Sequence, residues 1–160
     1  MDEKKTILLV DDDAGHRTML KANLSAAGYQ IVEADDGDQV LPIMEDTYID
    51  FILLDLKMKR MDGLETLQVI KKAGYYLPIV VLTAFSSVDS AVQAMKEGAF
   101  DYITKPVDIE ELKILLNRAL DFDQLQKENI LLKKRLNEKF QFGNIIGHSK
   151  PMKELFETLA

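Results

Sequence analysis

Short strand-like apolar runs alternate with segments of helical period five times in roughly the first 120 residues, about the size of one domain. This alternation marks βαβ units, in which parallel strands are covered by helices on both faces. The runs at 7–10 (Ile-Leu-Leu-Val) and 79–82 (Ile-Val-Val-Leu) are apolar throughout and suit strands buried on both sides. The intervening segments carry one apolar stripe each: Leu20, Leu24 and Ala27; Val40, Leu41 and Met44; Leu64, Leu67 and Ile70; Val88, Ala91, Val92 and Met95. Gly28, Gly37, Gly63, Gly74 and Gly98 fall where a helix should stop or a turn begin. The predicted fold class is α/β, a doubly wound parallel sheet.

The runs end on chemically specific residues. Asp11 and Asp12 follow 7–10, Asp55 follows 51–54, Thr83 follows 79–82, and Lys105-Pro106 follows 102–104. In an open parallel sheet, ligands gather outside the carboxyl ends of the strands, so these residues should share one site. Three carboxylates at neighbouring strand ends resist joint ionisation unless a cation offsets them. A hard divalent ion such as Mg²⁺ does so with few carboxylates, several waters and a phosphate oxygen. Lys105 adds a positive charge and Thr83 a hydroxyl donor. Together they can polarise a phosphoryl group while a carboxylate oxygen of Asp55 attacks it in line. Each residue alone has a plainer use: Asp11 to Asp13 can cap a helix, Thr83 can sit in a turn, and Lys105 can be solvated. Their joint fall on strand ends favours the shared site.

Composition narrows the partners. A net charge of −7 argues against direct nucleic-acid binding by this chain or attachment to an anionic membrane. With no cysteine there are no disulfides, cysteine nucleophiles or thiolate metal sites. No apolar stretch approaches the roughly 18 residues of a membrane span, and the N-terminus has no signal-peptide pattern. The expectation is a soluble, cytoplasmic protein.

The last helix is expected to outrun the domain. Asp108 with Glu111 makes a capping-box start, and Ile109, Leu112, Leu116 and Ala119 give a core-facing stripe. Phe122, Leu125, Asn129, Leu132 and Leu136 then recur at alternating spacings of three and four. That is an a/d heptad seam with Asn129 at an a position, where a buried amide sets register in a parallel pair. A homodimer through this helix is expected; the plainer alternative is an amphipathic tail folded back on its own domain. No proline or glycine interrupts 109–140, so one continuous helix fits. Residues 142–152 read as a loop with Ser149 and Pro151 opening a further helix at 152–160, the leading edge of a second domain.

The ordered pieces Val10-Asp11-Asp12-Asp13, Leu54-Asp55-Leu56-Lys57-Met58, Met61-Asp62-Gly63-Leu64-Glu65, Leu82-Thr83-Ala84 and Gly98-Ala99-Phe100-Asp101-Tyr102-Ile103-Thr104-Lys105-Pro106 resemble the receiver domains of two-component response regulators. The resemblance implies a flavodoxin-like (βα)5 sheet with strand order 2-1-3-4-5. It implies that Asp55 is the phosphoacceptor for a sensor histidine kinase. Asp12 and Asp55, with the backbone carbonyl of Lys57, would bind Mg²⁺, and Asp11 would act through water. Thr83 and Lys105 would contact phosphoryl oxygens, Tyr102 would follow phosphorylation as a switch aromatic, and the Lys105-Pro106 bond would be cis. Lys57 and Phe85 would flank the path of the hydrolysing water. One departure is Lys59-Arg60, where receivers commonly carry Pro-Gly.

Residues 143–152 resemble the start of the AAA+ ATPase domain of NtrC-type activators, which act on sigma-54 RNA polymerase and DNA. No P-loop of the form GxxxxGK[ST] is present in these 160 residues, so this chain is not expected to be an enzyme. The implied organisation is a receiver at 1–121, a coiled-coil linker helix at 122–140, and the truncated start of the AAA+ domain at 141–160. The competing readings are a Mg²⁺-dependent phosphotransferase or phosphatase with an aspartyl-phosphate intermediate, and a flavodoxin-like cofactor binder. The first needs a lid over its substrate, and the second would set three aspartates against a flavin phosphate.

Overall fold

The computed structural model describes residues 4–84 and 88–147, with Val88 and 138–147 as backbone alone. Five strands, β1 (Thr6–Val10), β2 (Gln30–Ala34), β3 (Phe51–Asp55), β4 (Ile79–Ala84) and β5 (Asp101–Lys105), form one sheet in the order β2-β1-β3-β4-β5. Every neighbouring pair is parallel. The helices are α1 (Ala14–Ala26), α2 (Val40–Asp46), α3 (Gly63–Lys72), α4 (Val88–Lys96) and α5 (Ile109–Gly147).

The continuous apolar runs are explained by the two-residue period of a strand. Leu8, Val10, Ile52, Leu54, Ile79 and Val81 face a core closed by Val40 and Met44 of α2, Leu67 and Ile70 of α3, and Ala94 of α4. Their neighbours Ile7, Leu9, Phe51, Leu53, Val80 and Leu82 face a second core closed by Leu20 and Leu24 of α1 and by Leu112, Leu115, Leu116 and Ala119 of α5. β1, β3 and most of β4 are therefore buried on both faces. The edge strands β2 and β5 are mixed in polarity because one side of each meets solvent.

Helix ends follow local chemistry. Asp13 caps α1 by accepting from the N–H of His16, and Asp62 caps α3 by accepting from that of Glu65. Asp108 accepts from the N–H groups of Glu110 and Glu111 at the start of α5. Gly28, Gly74 and Gly98 end α1, α3 and α4 at φ of 100°, 88° and 103°, a region costly for residues with a Cβ.

Several sequence expectations need correction. Ala27 is an exposed cap residue and not part of the α1 core stripe. On α4, Ala91 and Ala94 are buried while Val92 and Met95 are exposed, because the short alanine side chains let that edge lie against the sheet. Residues 142–147, expected as loop, continue α5. Once a helix is nucleated each added residue gains a hydrogen bond, which offsets the cost of about 1 kcal/mol for a glycine in it. Ser149, Pro151 and the helix expected at 152–160 lie outside the described residues, as does Phe85.

The chain divides into a unit of residues 1–120 and a second of 121–160. Within the second, Phe122, Leu125, Leu132 and Leu136 are exposed, as is Asn129. Lys127 pairs with Asp123 one turn away at 3.0 Å. No described helix is long and apolar enough to cross a membrane.

Candidate functional site

β1 and β3 are adjacent and in register, Val10 opposite Leu54, so the residues that follow them meet at one edge of the sheet. Oxygens of Asp11, Asp12 and Asp55 all lie within 4.8 Å of one another. β4 pairs with β3 through Leu82 and Asp55, which sets Thr83 next in line, and β5 pairs Lys105 with Ala84. The register therefore delivers all five side chains to the same edge. Asp12, Asp55, Lys57, Thr83, Ser90 and Lys105 line an open cleft of about 550 Å³. Asp11 lies beneath it, fully buried.

Lys105 links the carboxylates. Its Nζ lies 3.0 Å from Oδ2 of Asp55 and 3.6 Å from Oδ2 of Asp11. Burial pushes the Asp11 carboxyl up, but hydrogen bonds from His16 and the Asp13 N–H, together with the Lys105 charge, outweigh it and hold it below the ordinary carboxylate value. Asp55 is raised, chiefly by burial and also by the Asp11 charge, against the pull of Lys105. Lys105 is itself raised: burial opposes its charge, and the two carboxylates more than compensate. One ammonium does not neutralise two buried carboxylates and a third nearby. Three hard oxygen donors with surplus negative charge beside open space suit a hard divalent cation completed by water.

The Asp55 carboxylate is held on both of its oxygens. The Lys57 N–H donates to Oδ1 of Asp55 at 3.2 Å, and the opposite oxygen takes Lys105 at 3.0 Å, so each oxygen has a donor that fixes it. Gly63 permits the close packing beneath, since a Cβ there would fall 2.5 Å from the carbonyl oxygen of Asp55. Thr83 is buried, and its hydroxyl donates to the Ala84 carbonyl at 3.3 Å. The Lys105–Pro106 peptide bond is cis. Tyr102 does not line the cleft; it is 42% exposed on β5, opposite Val81.

Residues 7–117 match the response regulator receiver domain. The chain belongs to the response regulator receiver family. This receiver is 38% identical over 157 residues to the transcriptional regulatory protein ZraR of Klebsiella oxytoca, across 98% of this chain and 34% of that protein. It is 34% identical over 159 residues to the DNA-binding transcriptional regulator NtrC of Escherichia coli, across 98% and 33%. The crystal structure of NtrX from Brucella abortus superposes with a TM-score of 0.78 at 33% identity, over 84% of the receiver chain and 30% of that one. The chain thus spans about a third of the length of these curated relatives.

Sequence reasoning missed three side chains that hold Asp11 or the segment after β3 in this receiver. His16 reaches Oδ2 of Asp11 with its Nδ1, and Arg17 donates to the Asp11 carbonyl at 2.6 Å. Both lie in the first turn of α1, and only that proximity to the aspartates could have drawn attention to them. Asp36 is buried at the end of β2, where its carboxylate accepts from the backbone of 60–61. Nothing in its local sequence separates it from the exposed Asp35 and Asp38.

Proposed function

We propose that this receiver accepts a phosphoryl group on Asp55 from a sensor histidine kinase, with Mg²⁺, and so controls the assembly of a sigma-54-dependent transcriptional activator in the cytoplasm. The observation that carries the proposal is Asp55 itself. Its carboxylate is held at the base of an open cleft by Lys105 and the Lys57 amide, beside two further carboxylates. A carboxylate oxygen of Asp55 forms a bond to phosphorus as the bond to the kinase imidazole nitrogen breaks, and that nitrogen keeps the electron pair. Asp11, Asp12, Asp55 and the Lys57 carbonyl are the groups that would hold the metal. When bound, Mg²⁺ supplies neutralisation of the carboxylates and of the incoming phosphoryl oxygens. Lys105 offers an ammonium, and Thr83 can turn its hydroxyl from the Ala84 carbonyl toward the new phosphoryl oxygens. Tyr102 on β5 is the aromatic proposed to respond.

The reading extends along α5. Residues 1–121 are the receiver, 122–140 a linker helix that pairs with a second copy, and 141–160 the beginning of an AAA+ ATPase domain. The exposed apolar side chains of Phe122, Leu125, Leu132 and Leu136 support the pairing, because each would be removed from water in a coiled coil. Openness of the cleft disfavours a phosphatase acting on free small molecules, since nothing described closes over it.

Incubation with acetyl phosphate and Mg²⁺ followed by intact-mass measurement tests the proposal. One base-labile phosphoryl group per chain is expected, lost in Asp55→Asn. Uptake by that variant at the wild-type rate would place the acceptor elsewhere.

A further inference from the structure

The loop from Leu56 to Gly63 carries Lys57 on its near limb and is closed at its base by a hydrogen bond from the Gly63 N–H to the Leu56 carbonyl at 3.0 Å. Its far limb is fastened to the turn that follows β2. Asp36, 1% exposed, accepts the Arg60 N–H on Oδ2 at 3.0 Å. Its Oδ1 accepts both the Met61 N–H and its neighbour Gly37 N–H, each at 2.8 Å. A buried carboxylate is costly unless its lone pairs are filled, and here three backbone donors fill them. These donors outweigh the effect of burial and hold the Asp36 carboxyl below its ordinary value.

The Arg60 side chain makes a second, outer fastening. Its Nε donates to Oδ2 of Asp38 at 2.8 Å and its Nη2 to Oδ1 at 3.1 Å, while Nη2 also reaches Oδ1 of Asp35 at 3.1 Å. Such a two-pronged guanidinium–carboxylate contact fixes orientation as well as distance. The two segments also touch directly: a Cβ on Gly37 would fall 1.8 Å from Oγ1 of Thr66 and 2.7 Å from the Met61 carbonyl. Backbone, side chain and packing all lock 60–61 onto the turn after β2. An eight-residue loop tied at its base and again on its far limb has little freedom left for the near limb that bears Lys57.

We propose that Asp36 is a positioning residue for the cation and phosphoryl site, and that the Arg60 fork on Asp35 and Asp38 reinforces it, so that the Asp36–Arg60 clasp sets the placement of Lys57. This rests on the reading of Asp11, Asp12, Asp55 and the Lys57 carbonyl as the Mg²⁺ site. Groups that orient metal ligands from behind commonly change metal affinity by roughly 10–100-fold when removed. The sign of the effect separates positioning from simple charge. Loss of a positive side chain near an acidic site should tighten Mg²⁺ binding by Coulomb attraction alone, whereas loss of the clasp should weaken it.

The test is Mg²⁺ titration of the unphosphorylated full chain, read by the amide resonance of Lys57, with hydrogen exchange at the Arg60 and Met61 amides measured on the same samples. Arg60→Ala removes an exposed side chain and should leave the melting curve almost unchanged. It is expected to raise the Mg²⁺ dissociation constant several-fold, with faster exchange at both amides. Asp36→Asn should do the same to a greater degree, roughly tenfold or more; if it fails to fold, Arg60→Ala decides alone. A wild-type chain that binds Mg²⁺ and takes phosphate, beside an Arg60→Ala variant that binds as tightly or more tightly, overturns the clasp and leaves the site reading standing. A wild-type chain that does neither overturns both.

Discussion

At Asp55 one carboxylate is both the proposed nucleophile and a source of repulsion, and the two properties can be separated by Asp55→Asn. The amide keeps the shape and removes the nucleophile, so phosphate uptake should vanish. It also removes a charge that burial and Asp11 disfavour, so the urea midpoint at neutral pH should rise and not fall. A lower midpoint would count against charge crowding at this position. Proton linkage gives opposite signs at the two buried aspartates. Asp36 is depressed in the fold, so its contribution is full above the ordinary carboxylate value of about 4 and is lost as pH falls through the folded value. Asp55 is raised, so its contribution is full below the ordinary value and is lost as pH rises through the folded one. Between about pH 3 and pH 7, Asp36→Asn should therefore flatten the acid loss of stability, and Asp55→Asn should steepen the net rise with pH. Urea midpoints across that range check both; parallel curves would refute the linkage. At Lys105 the contact with Asp55 is a charged hydrogen bond worth about 1.5 to 3 kcal/mol, comparable to the gap between states of a typical switch. Lys105→Ala should still accept phosphate at the acidic cluster but lose the phosphorylation-dependent resonance shifts near Tyr102. Wild-type shifts in that variant would remove Lys105 from the switch.

Elements differ in how much of their role is local. β1, β3 and β4 need neighbours on both faces, and their unbroken apolar composition states it. α5 carries two successive apolar faces. Leu112, Leu115, Leu116 and Ala119 are buried against the sheet, while Leu125 and Leu132 are 63% and 61% exposed in the second unit. Exposed leucines at heptad spacing gain only if a partner covers them. In a dimer, the double substitution Leu125→Ala, Leu132→Ala would remove about 2 to 5 kcal/mol per buried site. Sedimentation equilibrium should then show a monomer at micromolar concentration where the parent chain is expected to be a dimer. A dimer of unchanged strength would move the contact to another surface. The loop between β3 and α3 shows the opposite case. Lys59-Arg60 stand where proline and glycine commonly restrict or relax a receiver's backbone. Here Arg60 holds the path through Asp35 and Asp38 instead, an arrangement distributed over two segments 22 to 25 residues apart.

For the molecule as a whole, the unit of residues 1–120 contains both cores and every cleft residue, whereas the exposed heptad seam belongs to 121–160. Residues 1–120 alone should therefore bind Mg²⁺ and accept phosphate as a monomer, and the 160-residue chain should be a dimer. A truncated chain that dimerises equally well would assign the contact to the receiver itself. The sequence by itself determined the alternation of elements, the doubly wound sheet and the residues at its carboxyl edge. Those properties depend on period and on strand ends, which are local and repeat along the chain. Asp11, Asp12, Asp55, Thr83 and Lys105 were legible because each lies within two residues of the carboxyl end of a strand. Tertiary structure alone decided which edge of α4 is buried, that α5 continues through Gly143, and that His16 and Arg17 reach Asp11. It also decided that, of three acidic residues within four positions, Asp36 turns inward while Asp35 and Asp38 meet Arg60. The physical reason is that a carboxylate's surroundings are made by whatever donors the fold brings to it, and for Asp36 two of these arrive from residues 24 and 25 positions away.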